Sequence, residues 1–304
     1  MNIIITGSLG HIGKPLAETL VKGGHHVTVV SSKTDKQTDI EALGATAAIG
    51  SVEDVDFLTK TFQGADAVFA MVPPNFGEMD QMGYYKRLGG NYAKAIEAAG
   101  VKHVVNLSSY GAHLDKGTGF ILGAHYTEGI MNSLPAGIAV TQLRPGYFYY
   151  NLFNFMGMLK GAGIIGANYG GNDKMVLVAP ADIAAAAAEE LVSTDGGRKI
   201  RYIASDEKTA NEIAGAIGGA IGKPGLQWLT FTDEQAQQGM EQSGVPAPIA
   251  ALFTELGASL HSGKLIEDYE RNKPAQMGKI KLDGFIKDFA AAYNAPDTTA
   301  GHGK

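Results

Sequence analysis

Three glycines near the amino terminus, Gly7, Gly10 and Gly13, stand in the spacing Gly-x-x-Gly-x-x-Gly within TGSLGHIG. An apolar run, Ile3 to Ile5, leads into them, and a helical pattern then carries Leu16, Leu20 and Val21 inward. A second apolar run, Val27 to Val30, follows Gly23-Gly24. That order reads as strand, tight turn, helix, turn, strand: a βαβ unit. Each glycine has its own task in such a unit. Gly7 allows the turn, Gly10 lets a diphosphate approach the backbone, and Gly13 lets the helix lie close to the strand. Free N–H groups and the positive dipole end at the start of the helix face the anion. The turn predicts a dinucleotide site in which Gly7, Leu9, Gly10, His11, Ile12 and Gly13 hold the diphosphate; the plainer alternative is a turn and nothing more.

The end of the second strand selects between the two nicotinamide cofactors. An acidic residue there binds the ribose 2′-hydroxyl of NAD(H) and repels a 2′-phosphate. This chain has Ser31, Ser32 and Lys33 instead. Two hydroxyls and an ammonium suit a phosphate, which favours NADP(H) and leaves NAD(H) open. A solvated lysine close to Asp35 is the other reading.

Several elements must position this chemistry. A short helix over 39–43, a third strand over 45–50, a helix over 52–64 and a buried fourth strand over 65–74, stopped by Pro73-Pro74, follow in order. Next come a long helix over 84–99, a fifth strand over 101–109, a helix over 126–134 and a sixth strand over 138–146. The alternation predicts an α/β fold: a doubly wound, mostly parallel Rossmann sheet with a smaller, interleaved C-terminal α/β lobe. Ligands bind beyond the carboxyl ends of such strands, which places Val72, Pro73 and Ser108 beside the nicotinamide and Asn75 and Phe76 near it, unless the last two simply form the turn. Tyr147, Phe148, Tyr149 and Tyr150 then form a dense aromatic stretch, which reads as a pocket for a small planar molecule or as core packing. Asp182 opens a helix over 179–192 and reads as a cap or dipole partner. A strand over 198–204, a helix over 205–222 and a strand-like run over 226–232 complete the pattern. The expected units are 1–150 with 175–194 for the nucleotide, 151–174 with 195–294 for substrate or partner, and a disordered tail over 295–304.

Composition narrows the function. The chain of 304 residues carries a net charge of −6 with no basic run, against nucleic acid or an anionic membrane as partner. It has no cysteine, so disulfide and thiolate chemistry are excluded. No apolar stretch reaches the ~20 residues that span a bilayer. The first apolar residues read as a strand and not as a leader, and a cytoplasmic location is expected. His11, His25 and His26 lack partners at ligand spacing, so no metal site is expected. No Gly-x-Ser-x-Gly elbow points to a hydrolase.

TGSLGHIG, NYAKAIEAAGVKHVVNLSS, TQLRPGYFYYN and VAPADIAAAAAEEL, in that order, with SDEKTANEIA and KPAQMGKIKLDGF beyond them, resemble the NmrA-like group of atypical short-chain dehydrogenase/reductases. The resemblance covers nearly the whole chain; the group includes quinone and triphenylmethane-dye reductases. Superfamily members that act on alcohols and ketones pair a Tyr-x-x-x-Lys motif with a serine at the end of the fifth strand. The ammonium lowers the tyrosine's pKa so that it can protonate the alkoxide. Ser108 and Ser109 match the serine, but the pair is missing. Tyr126 has Ile130 four residues on, and a register set on Glu128 puts the two positions near Phe120 and Ala124.

Quinone reduction is less demanding, because hydride addition leaves a delocalised anion. Ser108, His125 and Tyr126 are then the candidate catalytic residues, with solvent as an alternative proton source and a surface role as the alternative for His125. Glu128 reads as structural and Arg144 as an anchor of the strand end. Two functions follow: an NADPH-dependent reductase of a planar, quinone-like acceptor, or a non-catalytic redox sensor that binds the dinucleotide and acts through a protein partner.

Overall fold

The computed structural model describes residues 1–296, so the expected disorder at 295–304 falls, from 297 on, outside the described residues. Up to the sixth strand the chain alternates β1 (Asn2–Ile5), α1 (Gly13–Lys22), β2 (His26–Ser31), α2 (Gln37–Ala42), β3 (Thr46–Ile49), α3 (Val55–Phe62), β4 (Ala67–Ala70), α4 (Gln81–Ala99), β5 (His103–Leu107), α5 (Ile121–Asn132) and β6 (Ala139–Pro145). Then come β7 (Tyr147–Phe148), a 3-10 segment over Tyr149–Phe155, α6 (Met156–Gly161), β8 (Ile165–Ala167), β9 (Lys174–Val178) and α7 (Pro180–Leu191). The chain continues with β10 (Arg198–Ile203), β11 (Asp206–Thr209), α8 (Ala210–Ala220), β12 (Trp228–Thr230), α9 (Asp233–Gln242), α10 (Ala247–His261), α11 (Glu267–Arg271) and α12 (Leu282–Asn294).

Local chemistry sets several of these boundaries. Asp54 and Asp80 cap α3 and α4, accepting from the N–H groups of Phe57 and Gly83. Thr209 with Glu212, and Thr232 with Gln235, form reciprocal capping boxes at the starts of α8 and α9. Gly100 ends α4 in the left-handed region at φ 73°.

Seven parallel strands make the large sheet, in the order β10-β6-β5-β4-β1-β2-β3. β1 has β2 on one side and β4 on the other, so the winding reverses there and a crevice opens at the carboxyl ends of both. One face of the sheet buries Leu16, Ala17 and Leu20 of α1 with Ile183, Ala184 and Ala187 of α7. The other buries Leu58, Phe62, Tyr92, Ile96 and Met131 from α3, α4 and α5. Strands covered on both sides read as continuous apolar runs, as here. A third cluster gathers Tyr149, Leu152, Trp228, Leu260, Tyr269 and Phe289 around two small sheets, β11-β9-β7 and β12-β8.

Three expectations need correcting. β10, assigned to the second unit, is the edge strand of the large sheet. Tyr147–Phe148 and residues 175–178 of β9, assigned to the nucleotide unit, pair in a small sheet instead. The segment 206–209, expected as the polar start of a helix, is a strand antiparallel to β9, with Thr209 switching the chain into α8. Among the described residues, no helix is long and apolar enough to cross a membrane.

Candidate active site

The glycine turn joins β1 to α1 and is held from both sides. Ser8 N–H donates to the Val30 carbonyl at 3.0 Å, and Thr6 Oγ1 accepts from Met71 N–H at 2.8 Å, tying the turn to β2 and the end of β4. Gly7 sits at φ 94°, where a Cβ would lie 1.9 Å from Met71 Cε. Ser8 follows at φ 60°, the one non-glycine residue with positive φ among those described. A Cβ on Gly13 would come within 2.0 Å of the Ser8 carbonyl oxygen, so this glycine lets α1 close against the turn itself. Gly10 differs: the nearest atom to its Cβ position is Gly7 O at 3.8 Å. Nothing in the chain requires a glycine there.

Among the described residues, the backbone N–H groups from Leu9 through Gly13 donate to nothing in the chain. They form the positive amino-terminal end of α1. Ile12 is buried and contributes only its backbone, whereas the exposed His11 ring lies 4.3 Å from that of Tyr150.

At the end of β2, buried Ser31 shares a 3.0 Å hydroxyl contact with Ser8 and accepts from Lys33 N–H at 3.2 Å. Its hydroxyl therefore shapes the loop. Ser32 and Lys33 are exposed. Lys36 pairs with Asp39 at 3.0 Å, whereas the Lys33 ammonium joins no ion pair among the described residues.

Two tyrosines of α4 fix the end of β4. Tyr92 donates to the Met71 carbonyl at 2.7 Å and Tyr84 to that of Pro73 at 2.9 Å, which leaves Val72 and Pro73 half-buried along the crevice. Beyond them Phe76 meets Phe120 edge-on at 5.6 Å and Phe253 of α10 at 5.8 Å; Phe120 and Phe253 are 4.7 Å apart. These three rings come from the β4–α4 connection, the entry to α5, and α10. Distance in sequence hid the group.

The candidate catalytic residues are placed otherwise than expected. Ser108 Oγ lies 2.5 Å from Glu128 Oε1, and Glu128 is gripped by Arg144 through Nε to Oε1 at 2.9 Å and Nη2 to Oε2 at 2.7 Å. A carboxylate so paired only accepts, so the hydrogen between it and Ser108 is the serine's, and Ser108 has none to give to a substrate. Tyr126 is two residues from Glu128, about 200° around the helix and so on its far side. There it lies under the Lys86 ammonium of α4, 3.7 Å from the ring centroid. His125 Nδ1 lies 2.9 Å from the Ala112 carbonyl, which can only accept. Nδ1 therefore carries hydrogen and is spent on that carbonyl.

Arg144 further contacts Asp268 of α11 at 2.9 Å and the Tyr202 hydroxyl at 3.1 Å, and Tyr202 donates to Asp268. Burial works against the Arg144 charge, but Glu128 and Tyr202 hold its pKa above the ordinary arginine value. Burial likewise raises Tyr202, whose partner Asp268 adds to the effect.

The aromatic stretch also divides. Tyr149 is buried and donates to Asp206 at 2.8 Å, Phe153 stacks on Phe289, and Tyr147 packs with the small-sheet cluster. Phe148 turns the other way and joins Leu9, Met71 and Leu107 at the edge of the large-sheet core. Of the four aromatics expected around a planar ligand, only Phe148 and Tyr150 border the crevice. Asp182 is not a cap. It accepts from Ser205 Oγ at 2.7 Å, Lys279 N–H at 3.0 Å and Ile280 N–H at 3.1 Å, clipping the chain after Gly278 onto α7. Among the described residues, no group of three potential ligands for a metal ion is present.

The family model described as NmrA-like family matches residues 1–257. The chain belongs to that family. An NAD(P)H azoreductase of Xenophilus azovorans is 26% identical over 257 residues, 84% of this chain and 86% of the relative. An NADPH-dependent quinone oxidoreductase of Escherichia coli, solved with NADPH, superposes with TM-score 0.80 at 21% identity, covering 95% of this chain and 99% of that one. A triphenylmethane reductase of Citrobacter superposes with TM-score 0.79 at 19% identity, covering 96% and 100%. In this NmrA-like chain, Phe120 stands at the cap position of α5 and Ala124 lies in its first turn. Neither residue ionises.

Proposed function

We propose that this NmrA-like protein is an NADPH-dependent reductase of a small planar acceptor. The observation that carries the proposal is the row of unused N–H groups from Leu9 to Gly13 beneath an open Gly10. That row suits a diphosphate, and the residues present fit the rest of the cofactor: Ser32 and the unpaired Lys33 suit a 2′-phosphate at the end of β2. Val72, Pro73 and Ser108 would flank the nicotinamide, over a floor of Leu9, Met71, Leu107 and Phe148. Bound NADPH supplies a hydride. The names of the azoreductase and quinone oxidoreductase relatives support an acceptor with extended conjugation.

Phe76, Phe120 and Phe253 would wall the acceptor. Their faces suit a flat ring, and they provide no ionisable group. With Ser108 committed to Glu128, Tyr126 on the far side of α5 and His125 Nδ1 spent on the Ala112 carbonyl, protonation falls to water. This suits a quinone, whose two-electron reduction by hydride leaves a resonance-stabilised hydroquinone anion that water protonates. Catalysis is then mainly alignment of cofactor and acceptor. The missing acid fits a cofactor-binding sensor equally well, and the reductase relatives favour turnover.

The test is to follow NADPH absorbance with benzoquinone, menadione and an azo dye. Acceptor-dependent oxidation is expected with at least one of them; tight NADPH binding with no oxidation by any would replace the reductase with the sensor.

A further inference from the structure

Ser108 is the first residue after β5, and its N–H stays in the sheet by donating to the Leu143 carbonyl at 2.8 Å. Its side chain meets Glu128, whose carboxylate is 7% exposed against an Arg144 side chain 5% exposed. Five N–H donors and no acceptor make the guanidinium a one-way partner. Two of its N–H bonds fix Glu128 as an ionised, purely accepting group, and further bonds to Asp268 and Tyr202 fix the guanidinium itself. Each link removes a rotational choice from the next, and the last freedom removed belongs to the Ser108 hydroxyl. Its hydrogen points into the protein toward Glu128. Its lone pairs are what remain for the crevice.

We propose that Glu128 is a positioning residue that fixes Ser108 as a hydrogen-bond acceptor for the carboxamide N–H of the nicotinamide. The inference rests on the cofactor reading above and gives that site a polarity. A serine with a free hydroxyl adapts to a donor or an acceptor by rotating. Ser108 cannot rotate without leaving a buried carboxylate one hydrogen bond short, a cost charged groups make large. The residue therefore distinguishes an amide, which donates, from an isosteric methyl ketone, which does not. It orients the ring through that single bond.

Binding of two reduced cofactors by calorimetry tests this: NADPH, and its 3-acetylpyridine analogue, in which a methyl replaces the carboxamide amine. The wild-type protein is expected to bind NADPH about tenfold more tightly than the analogue, the worth of one neutral hydrogen bond. Ser108→Ala, which leaves the Glu128–Arg144 pair intact, should bind the two within about twofold. In Glu128→Gln the new amide can donate to Ser108 and turn its hydrogen outward, so the preference should fall to parity or below. Ser108→Ala carries the test even if Glu128→Gln does not fold. Equal binding of the two cofactors by wild type, or an undiminished preference in Ser108→Ala, overturns the proposal and leaves the cofactor site standing. An unchanged preference in folded Glu128→Gln removes Glu128 from the role. Binding of neither cofactor by folded wild type would instead overturn the cofactor reading itself.

Discussion

Gly10→Ala separates the fold from the ligand. The added Cβ finds only Gly7 O, at 3.8 Å, and Gly10 is not among the residues at positive φ. The fold therefore has no objection to the methyl, and a narrower unfolded ensemble adds about 0.4–1 kcal/mol of stability. A phosphate oxygen within hydrogen-bond reach of the N–H groups at Leu9 to Gly13 leaves no room for that methyl. Losing one charge-assisted bond costs about 1.5–3 kcal/mol, roughly 10- to 150-fold in Kd. The assay is thermal unfolding with and without NADPH at 100 times the wild-type Kd. Wild type should gain about 2.7 kcal/mol, or about 4 °C. Gly10→Ala should unfold no lower than wild type without cofactor and gain only about 0.3–1.4 kcal/mol, or about 2 °C at most, with it. Gly13→Ala is the contrast, since its Cβ must move the Ser8 carbonyl and lower stability without cofactor. A full NADPH shift in Gly10→Ala, or a lower cofactor-free midpoint, refutes the reasoning.

Lys33→Ala removes the unpaired ammonium beside Ser32, so NADPH should weaken by about 10- to 100-fold and NADH hardly at all; parallel titrations of the two measure it. Phe253→Ala takes away one wall of the three-ring group, and kcat/KM should fall about tenfold or more for menadione while changing little for benzoquinone. Glu207 gives a pH prediction. Burial pushes its carboxyl up, but Lys273, Lys174 and the Tyr269 hydroxyl hold it down to about 2. Its folded pKa lies below the unfolded value of about 4.3, so its stabilisation is full above that pH and is lost as pH falls toward 2. Urea midpoints of Glu207→Gln should therefore be lower than wild type at pH 7, with the difference shrinking from pH 5 to pH 3.

The sequence discloses those parts of the molecule that local rules govern. Gly7 and Gly13 mark the turn because a left-handed φ and a 2.0 Å approach leave no other residue type. The alternation of apolar runs and helices as far as β6 gives the sheet, since its central strands β1, β4, β5 and β6 are buried along nearly their whole length. The place of β10 is not legible locally, because an edge strand looks the same whichever sheet it joins. The segment 206–209 gives no strand signal because DEKT is charged, and its strand exists only through pairing with β9. Residues of the site that meet across long separations were hidden. Ser108 and Glu128 are each visible, but no spacing rule says that the hydrogen of one belongs to the other. Phe76, Phe120 and Phe253 lack any shared motif, whereas the conspicuous run from Tyr147 to Tyr150 is spent largely on packing.

Arg144 also constrains how the cleft admits a guest. Its guanidinium grips α5 through Glu128 and α11 through Asp268 at once. Parting those elements would strand a buried cation, at about 3–5 kcal/mol. The molecule is riveted at this point, so it does not gape like a jaw. Passage falls to the rim above β4, where Phe76 and Met79 stand 54% and 48% exposed. What emerges is a bowl pinned at its base, whose exposed rim is left to Phe76 and Met79.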